Sequence, residues 1–170
     1  MEKSVTDIFE SLQKLIGLHR ELLDICRGER QALVQADIKA IQDATFAKQG
    51  LVESIRKMEN ERLKCLNVLA LVWKKPLHEL SLPKLMIALQ GEDPEAADLF
   101  RTTYNALTVL IQRITEQNED NRLLVERSLE HVNEMKKNVL GEAVPKSNTY
   151  TSRGERVATT GGARLISKEI

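Results

Sequence analysis

Along much of this chain, apolar residues recur in alternating steps of four and three, the spacing that keeps one face of a helix toward a partner. In the first segment Ile8, Leu12, Leu15, His19, Leu22, Cys26, Glu29 and Leu33 follow it, with two polar interruptions. A second seam runs through Ile41, Thr45, Lys48, Val52, Ile55, Glu59, Arg62, Leu66 and Leu69. A third takes in Leu99, Thr103, Ala106, Leu110, Ile114, Gln117, Asn121, Leu124, Ser128, Val132, Met135 and Val139. The prolines at 76, 83, 94 and 145 leave residues 1–75 and 95–144 free of the strongest helix breaker.

The punctuation between seams fits helices. Asp37 is placed to cap a second helix through its carboxylate. The turn at Ala36 is short, so the first two helices are expected to lie antiparallel. Pro76 ends the second helix. Ser81 is placed to cap a short helix through Leu89, with Pro83 in its first turn. Gly91-Glu92-Asp93-Pro94 reads as a turn that starts the last helix, with Asp93 as its cap. The prediction is an all-α fold: three long antiparallel helices in a coiled-coil-like bundle, with a short helix between the second and third. Trp73 and Tyr104 are read as core, and Gln117, Asn121 and Ser128 as a buried polar layer that fixes helix register.

The lengths do not match. A last helix from Pro94 to Leu140 spans roughly 70 Å, against about 45 Å for the first. Part of it is therefore left over, to overhang, to swap into a homodimer or to bind something else. Leu124, Leu129, Val132, Met135 and Val139 lie on that part and form the candidate protein-binding stripe.

Composition changes abruptly after Gly141. Residues 142–170 hold Gly154, Gly161 and Gly162 amid many Ser and Thr, and end in a few apolar residues, Leu165, Ile166 and Ile170. Such a segment buries too little apolar surface to offset its ordering entropy, so a disordered C-terminal tail is expected. The predicted organisation is a helical domain over residues 1–141 and a docking tail over 142–170. Tyr150 stands out there as an aromatic residue with no core to fill.

Charge and chemistry narrow the function classes. With 25 basic and 25 acidic residues the net charge is zero, which disfavours nucleic acid as the main partner. No run of about 18 apolar residues predicts stable membrane insertion. Met1-Glu2-Lys3-Ser4 leads directly into an amphipathic pattern rather than a secretory h-region. Cys26 and Cys65 are isolated and read as reduced thiols of a cytoplasmic protein. The spacings of His19, Cys26, Cys65 and His131 match no zinc motif, so no metal is expected. No Gly-rich phosphate loop follows a strand, and heptad helices offer no oxyanion site for a nucleophile. No catalytic residue and no cofactor are assigned.

These residues resemble the FlgN-like family of flagellar export chaperones. The resemblance rests on Glu29-Arg30 with Leu33, the Ala36-Asp37 turn, Lys48 with Leu51-Val52, and Asn118 with Asn121, Leu123-Leu124 and Ser128-Leu129. It is closest in the tail, at Tyr150, Gly154, Gly162 and Arg164-Leu165-Ile166-Ser167, and departs from the family pattern at Ile170. It implies a cytoplasmic, non-enzymatic chaperone. Such a protein holds hook-associated (hook–filament junction) proteins before type III secretion and delivers them to the flagellar export apparatus. It further implies substrate contact along residues 124–139 and export-gate docking through the tail, with Tyr150, Leu165 and Ile166 as candidates. The rival reading is a structural coiled-coil scaffold with no export role.

Overall fold

The computed structural model describes residues 3–140, which form α1 (Lys3–Gln35), α2 (Ile38–Trp73), a 3-10 turn (Leu77–Glu79), α3 (Leu82–Glu92) and α4 (Pro94–Leu140). Among the described residues all regular structure is helical. The expected tail and its candidates Tyr150, Leu165 and Ile166 lie outside the described residues. The described residues divide into two units, one running to Arg127 and the other beginning at Ser128.

The helix ends follow from local chemistry. Asp37 accepts a hydrogen bond from the Ala40 N–H at 3.0 Å, satisfying an otherwise orphaned donor of α2. Asp93 does the same for Ala96 at 3.0 Å. It also donates its own N–H to Leu89, so one residue closes α3 and opens α4. Ser81 occupies the cap position of α3, but its side chain makes no capping bond; Pro83 in the first turn removes a donor that would need one. The helix also runs past Leu89 to Glu92, because Gly91 continues it rather than breaking it.

Two left-handed residues stop α1 and α2. Ala36 has φ 54° and Lys74 φ 51°. In each case the next N–H reaches five residues back: Asp37 to Ala32 at 3.0 Å, and Lys75 to Ala70 at 3.1 Å. This is the Schellman closure, built without the usual glycine.

Packing in the first unit is dense at one end and thins toward the other. Val5, Ile8, Leu12 and Leu15 of α1 meet Leu66 and Leu69 of α2, Leu80, Leu85 and Leu89, and Ala96, Ala97, Phe100 and Leu107 of α4. The Phe9 and Phe100 rings tilt against each other at 58° with centroids 5.7 Å apart, within the range at which aromatic pairs attract. Farther along α1 a smaller cluster gathers Leu22, Leu23, Cys26 and Ile114. The polar contacts give the directions. Gln13 meets Thr103, Cys26 meets Asn118 and Arg30 meets Asp120, so α1 and α4 run the same way. Lys48, early in α2, meets Glu29, late in α1, so α2 doubles back along α1.

The heptad reading needs local corrections. Thr45 and Val52 are exposed, and Ala44 and Leu51 turn further inward. Leu99 is exposed while its neighbour Phe100 is fully buried. The reason is geometric: a straight helix drifts relative to a strict seven-residue repeat, so over several turns the buried position moves by one residue. Trp73 and Tyr104 are half-buried, and Trp73 packs against the main core.

Candidate functional site

Beyond the small apolar cluster, α1, α2 and α4 share a layer of polar side chains. Asn121 is only 3% exposed. Its amide donates to the Cys26 carbonyl at 2.9 Å and to Glu29 Oε2 at 2.8 Å, and its Oδ1 accepts from Gln117 at 3.0 Å. The Lys48 ammonium donates to Glu29 Oε2 at 2.8 Å and to Asn118 Oδ1 at 3.0 Å. The ion pair is largely withdrawn from water, at 24% and 13% side-chain exposure. The Cys26 thiol donates to Asn118 Oδ1 at 3.4 Å. Burial pushes that thiol's pKa up; the Lys48 charge opposes the shift and Glu29 adds to it.

Of the predicted polar layer, Asn121 is buried, Gln117 is half-buried and Ser128 is exposed. Glu29 and Lys48, both seam positions, and Asn118 complete the network. The signal was available: two opposite charges and Asn121 on apolar seams, with Asn118 one turn before it, are costly unless they meet.

An open groove of about 510 Å³ adjoins this layer. Leu33, Ile41 and Val125 supply apolar walls, and Glu29, Lys48 and Asn121 also line it. Arg122 is fixed at the rim, donating to Glu119 at 2.6 and 2.9 Å and to Glu126 at 2.6 Å. These bonds hold the Glu119 carboxyl below the usual carboxylate range.

Of the predicted stripe residues, Leu124 belongs to the first unit and is half-buried. The others fall in the second unit. Leu129, Val132, Met135 and Val139 are all exposed, Val139 to 81%. Val132, Met135, Lys136 and Val139 line one shallow depression whose surface is almost entirely apolar. Their spacing of i, i+3, i+4 and i+7 puts them on one helix face. Helical spacing puts Glu130 and Glu134 on the opposite side, so Lys136 is the charge nearest the apolar strip. Chemically, this surface can accept the apolar face of another amphipathic helix.

Among the described residues no group of three or more His, Cys, Asp or Glu side chains is arranged to hold a metal, and no helix is long and apolar enough to cross a membrane. In comparisons with known proteins, a family model described as FlgN protein matches residues 1–158. No curated protein and no solved structure matches the chain.

Proposed function

Because the chain belongs to the FlgN protein family, we propose that it is a cytoplasmic flagellar export chaperone for hook-associated proteins. The observation that carries the reading is the exposed apolar strip of Leu129, Val132, Met135 and Val139 on a well-formed helix. Junction subunits must stay unassembled before export, and amphipathic helices at their ends would otherwise self-associate. The strip covers such a helix by packing apolar face on apolar face. Each well-buried aliphatic side chain contributes roughly 1.5–3 kcal/mol. Four of them contribute at most about 6–12 kcal/mol, and the apolar face of the cargo helix adds its own burial to this before association costs are met.

The division of labour follows. The helical body holds cargo, and residues 142–170, with Tyr150, Leu165 and Ile166, dock at the export gate. Because holding and docking use separate segments, the gate engages the chaperone while cargo is still bound. Release needs no nucleotide; transfer to a competing site suffices.

The test is a titration of the full chain with an amphipathic terminal peptide from a hook-associated protein, with sedimentation of the free chain alongside. The proposal expects saturable binding at about one to one. A stable oligomer in which the strip is already covered, with no peptide binding, favours the scaffold reading instead.

A further inference from the structure

The C-terminal half of α2 carries a second apolar surface that the chaperone reading does not use. Val68, Leu71 and Val72 are each more than half exposed, Leu71 to 80%. Their i, i+3, i+4 spacing groups them on one outward side. The same stretch is basic. Residues 56–75 carry six Lys and Arg side chains against Glu59 and Glu61, in a chain whose net charge is zero. Both acids are engaged locally, Glu59 with Arg62 at 2.8 Å and Glu61 with Lys64 at 2.7 Å. Arg56 faces Glu53 at 4.0 Å, so the positive excess stands at Lys57, about three turns before the apolar group, and at Lys74 and Lys75 directly after it. The Lys75 ammonium lies over the Trp73 ring, 5.5 Å from its centre.

We propose that this face of α2 is a peripheral contact surface for an anionic phospholipid bilayer. Charge complementarity selects the occupant: exposed aliphatic side chains bracketed by lysines combine insertion at the headgroup boundary with attraction to acidic lipid. A second copy of the chain is disfavoured, because symmetric pairing brings the same lysine-rich ends into a shared interface. The surface is also a convex helix face, which a fluid interface accommodates without a preformed groove. The contact is interfacial, since no described helix can span a membrane. It concentrates the chain at a membrane surface whatever its cargo.

The experiment is cosedimentation of the full chain with phosphatidylcholine vesicles, with and without phosphatidylglycerol. Binding is expected only to the phosphatidylglycerol vesicles and is expected to weaken as salt rises. The substitutions Lys74→Gln and Lys75→Gln together should lower vesicle partition by about tenfold or more. Leu71→Ser with Val72→Ser should lower it comparably, with helicity by circular dichroism unchanged because both side chains are exposed. Equal pelleting with neutral vesicles, no pelleting at all, or full binding by either variant overturns the proposal. So does a wild-type dimer that the Leu71→Ser, Val72→Ser variant converts to a monomer, or binding to an acidic protein in place of the vesicles.

Discussion

Asn121 of α4 donates its amide N–H to the main-chain carbonyl of Cys26 on α1, 2.9 Å away and 95 positions earlier in the chain. The same amide nitrogen reaches Glu29. An apolar seam slides by a turn at modest cost, but this pair has one register in which every polar atom is satisfied, and among the described residues no buried side-chain polar atom is left without a partner. Replacing Asn121 by Ala should therefore cost about 1–3 kcal/mol, because Glu29 loses a donor in a site largely shielded from water. Urea denaturation of the two proteins measures it. A loss under about 0.5 kcal/mol, within the range of an ordinary surface change, would reject the register role.

The thiol in this layer gives a second readout. Cys26 is fully buried and Cys65 half-buried, and only the thiolate reacts. Alkylation of the native protein should modify Cys65 first, with Cys26 slower by about a hundredfold or more, at a rate that follows opening of the bundle. The sign with pH follows from the raised folded-state pKa of Cys26. Below the unfolded thiol pKa, about 8.5, both states hold the proton and its contribution to stability is fully present. As pH rises through the folded value the unfolded chain binds fewer protons, so that contribution is lost on the alkaline side. Cys26→Ala should flatten this alkaline slope; an identical slope in the variant would assign the loss to other groups.

The three long helices and their separators were legible because Asp37, Pro76, Asp93 and Pro94 combine with long apolar seams. Leu99 and Val52 were misplaced because a heptad template cannot follow the drift of a straight helix. The stops at Ala36 and Lys74 were invisible as left-handed closures, since neither residue type favours that conformation. Asn121 does lie in a buried polar layer, as its seam position suggests, but its charged partners are not evident from the pattern. Glu29 and Lys48 stand on apolar seams, which signals that each needs a partner, but which residue each meets emerges only when the hairpin brings positions 19 apart to within 2.8 Å. Helix length alone marks out the stripe, and length does not reveal that Leu124 is half-buried while Leu129 is open.

Ala36 supplies a test of the turn. Its φ of 54° is unfavourable for a residue with a Cβ and ordinary for glycine. Ala36→Gly should stabilise the protein by about 0.5–1 kcal/mol, the relief of local strain exceeding the added freedom of the unfolded chain. Thermal and urea melts measure it. Destabilisation of similar size would mean that Ala36 does not sit in the left-handed region.

Removal of residues 142–170 tests the proposed separation of holding from docking. Helicity and peptide affinity should stay within experimental error of the full chain, while secretion of hook-associated proteins in a complemented flagellated cell should fall to background. Loss of cooperative unfolding on truncation would show that the segment is part of the fold and would end the proposed division.

The strongest test of the proposed cargo surface is the double change Val132→Glu, Met135→Glu. Both side chains are about half exposed, at 47% and 53%, so the free protein should lose little stability. In the complex the same positions would be covered, and two carboxylates would have to be desolvated against an apolar helix. The lost burial alone is worth about 3 kcal/mol, which weakens binding by roughly a hundredfold. Added charge on this side also sits near Lys136, so part of the loss should depend on salt if that lysine pairs with the new acids in the free protein. Val132→Ser with Met135→Ser separates the two effects, since it removes apolar area without adding charge. Calorimetry should rank wild type above the serine pair and the serine pair above the glutamate pair. Equal affinity across all three, with each protein folded, would move the cargo site off this strip.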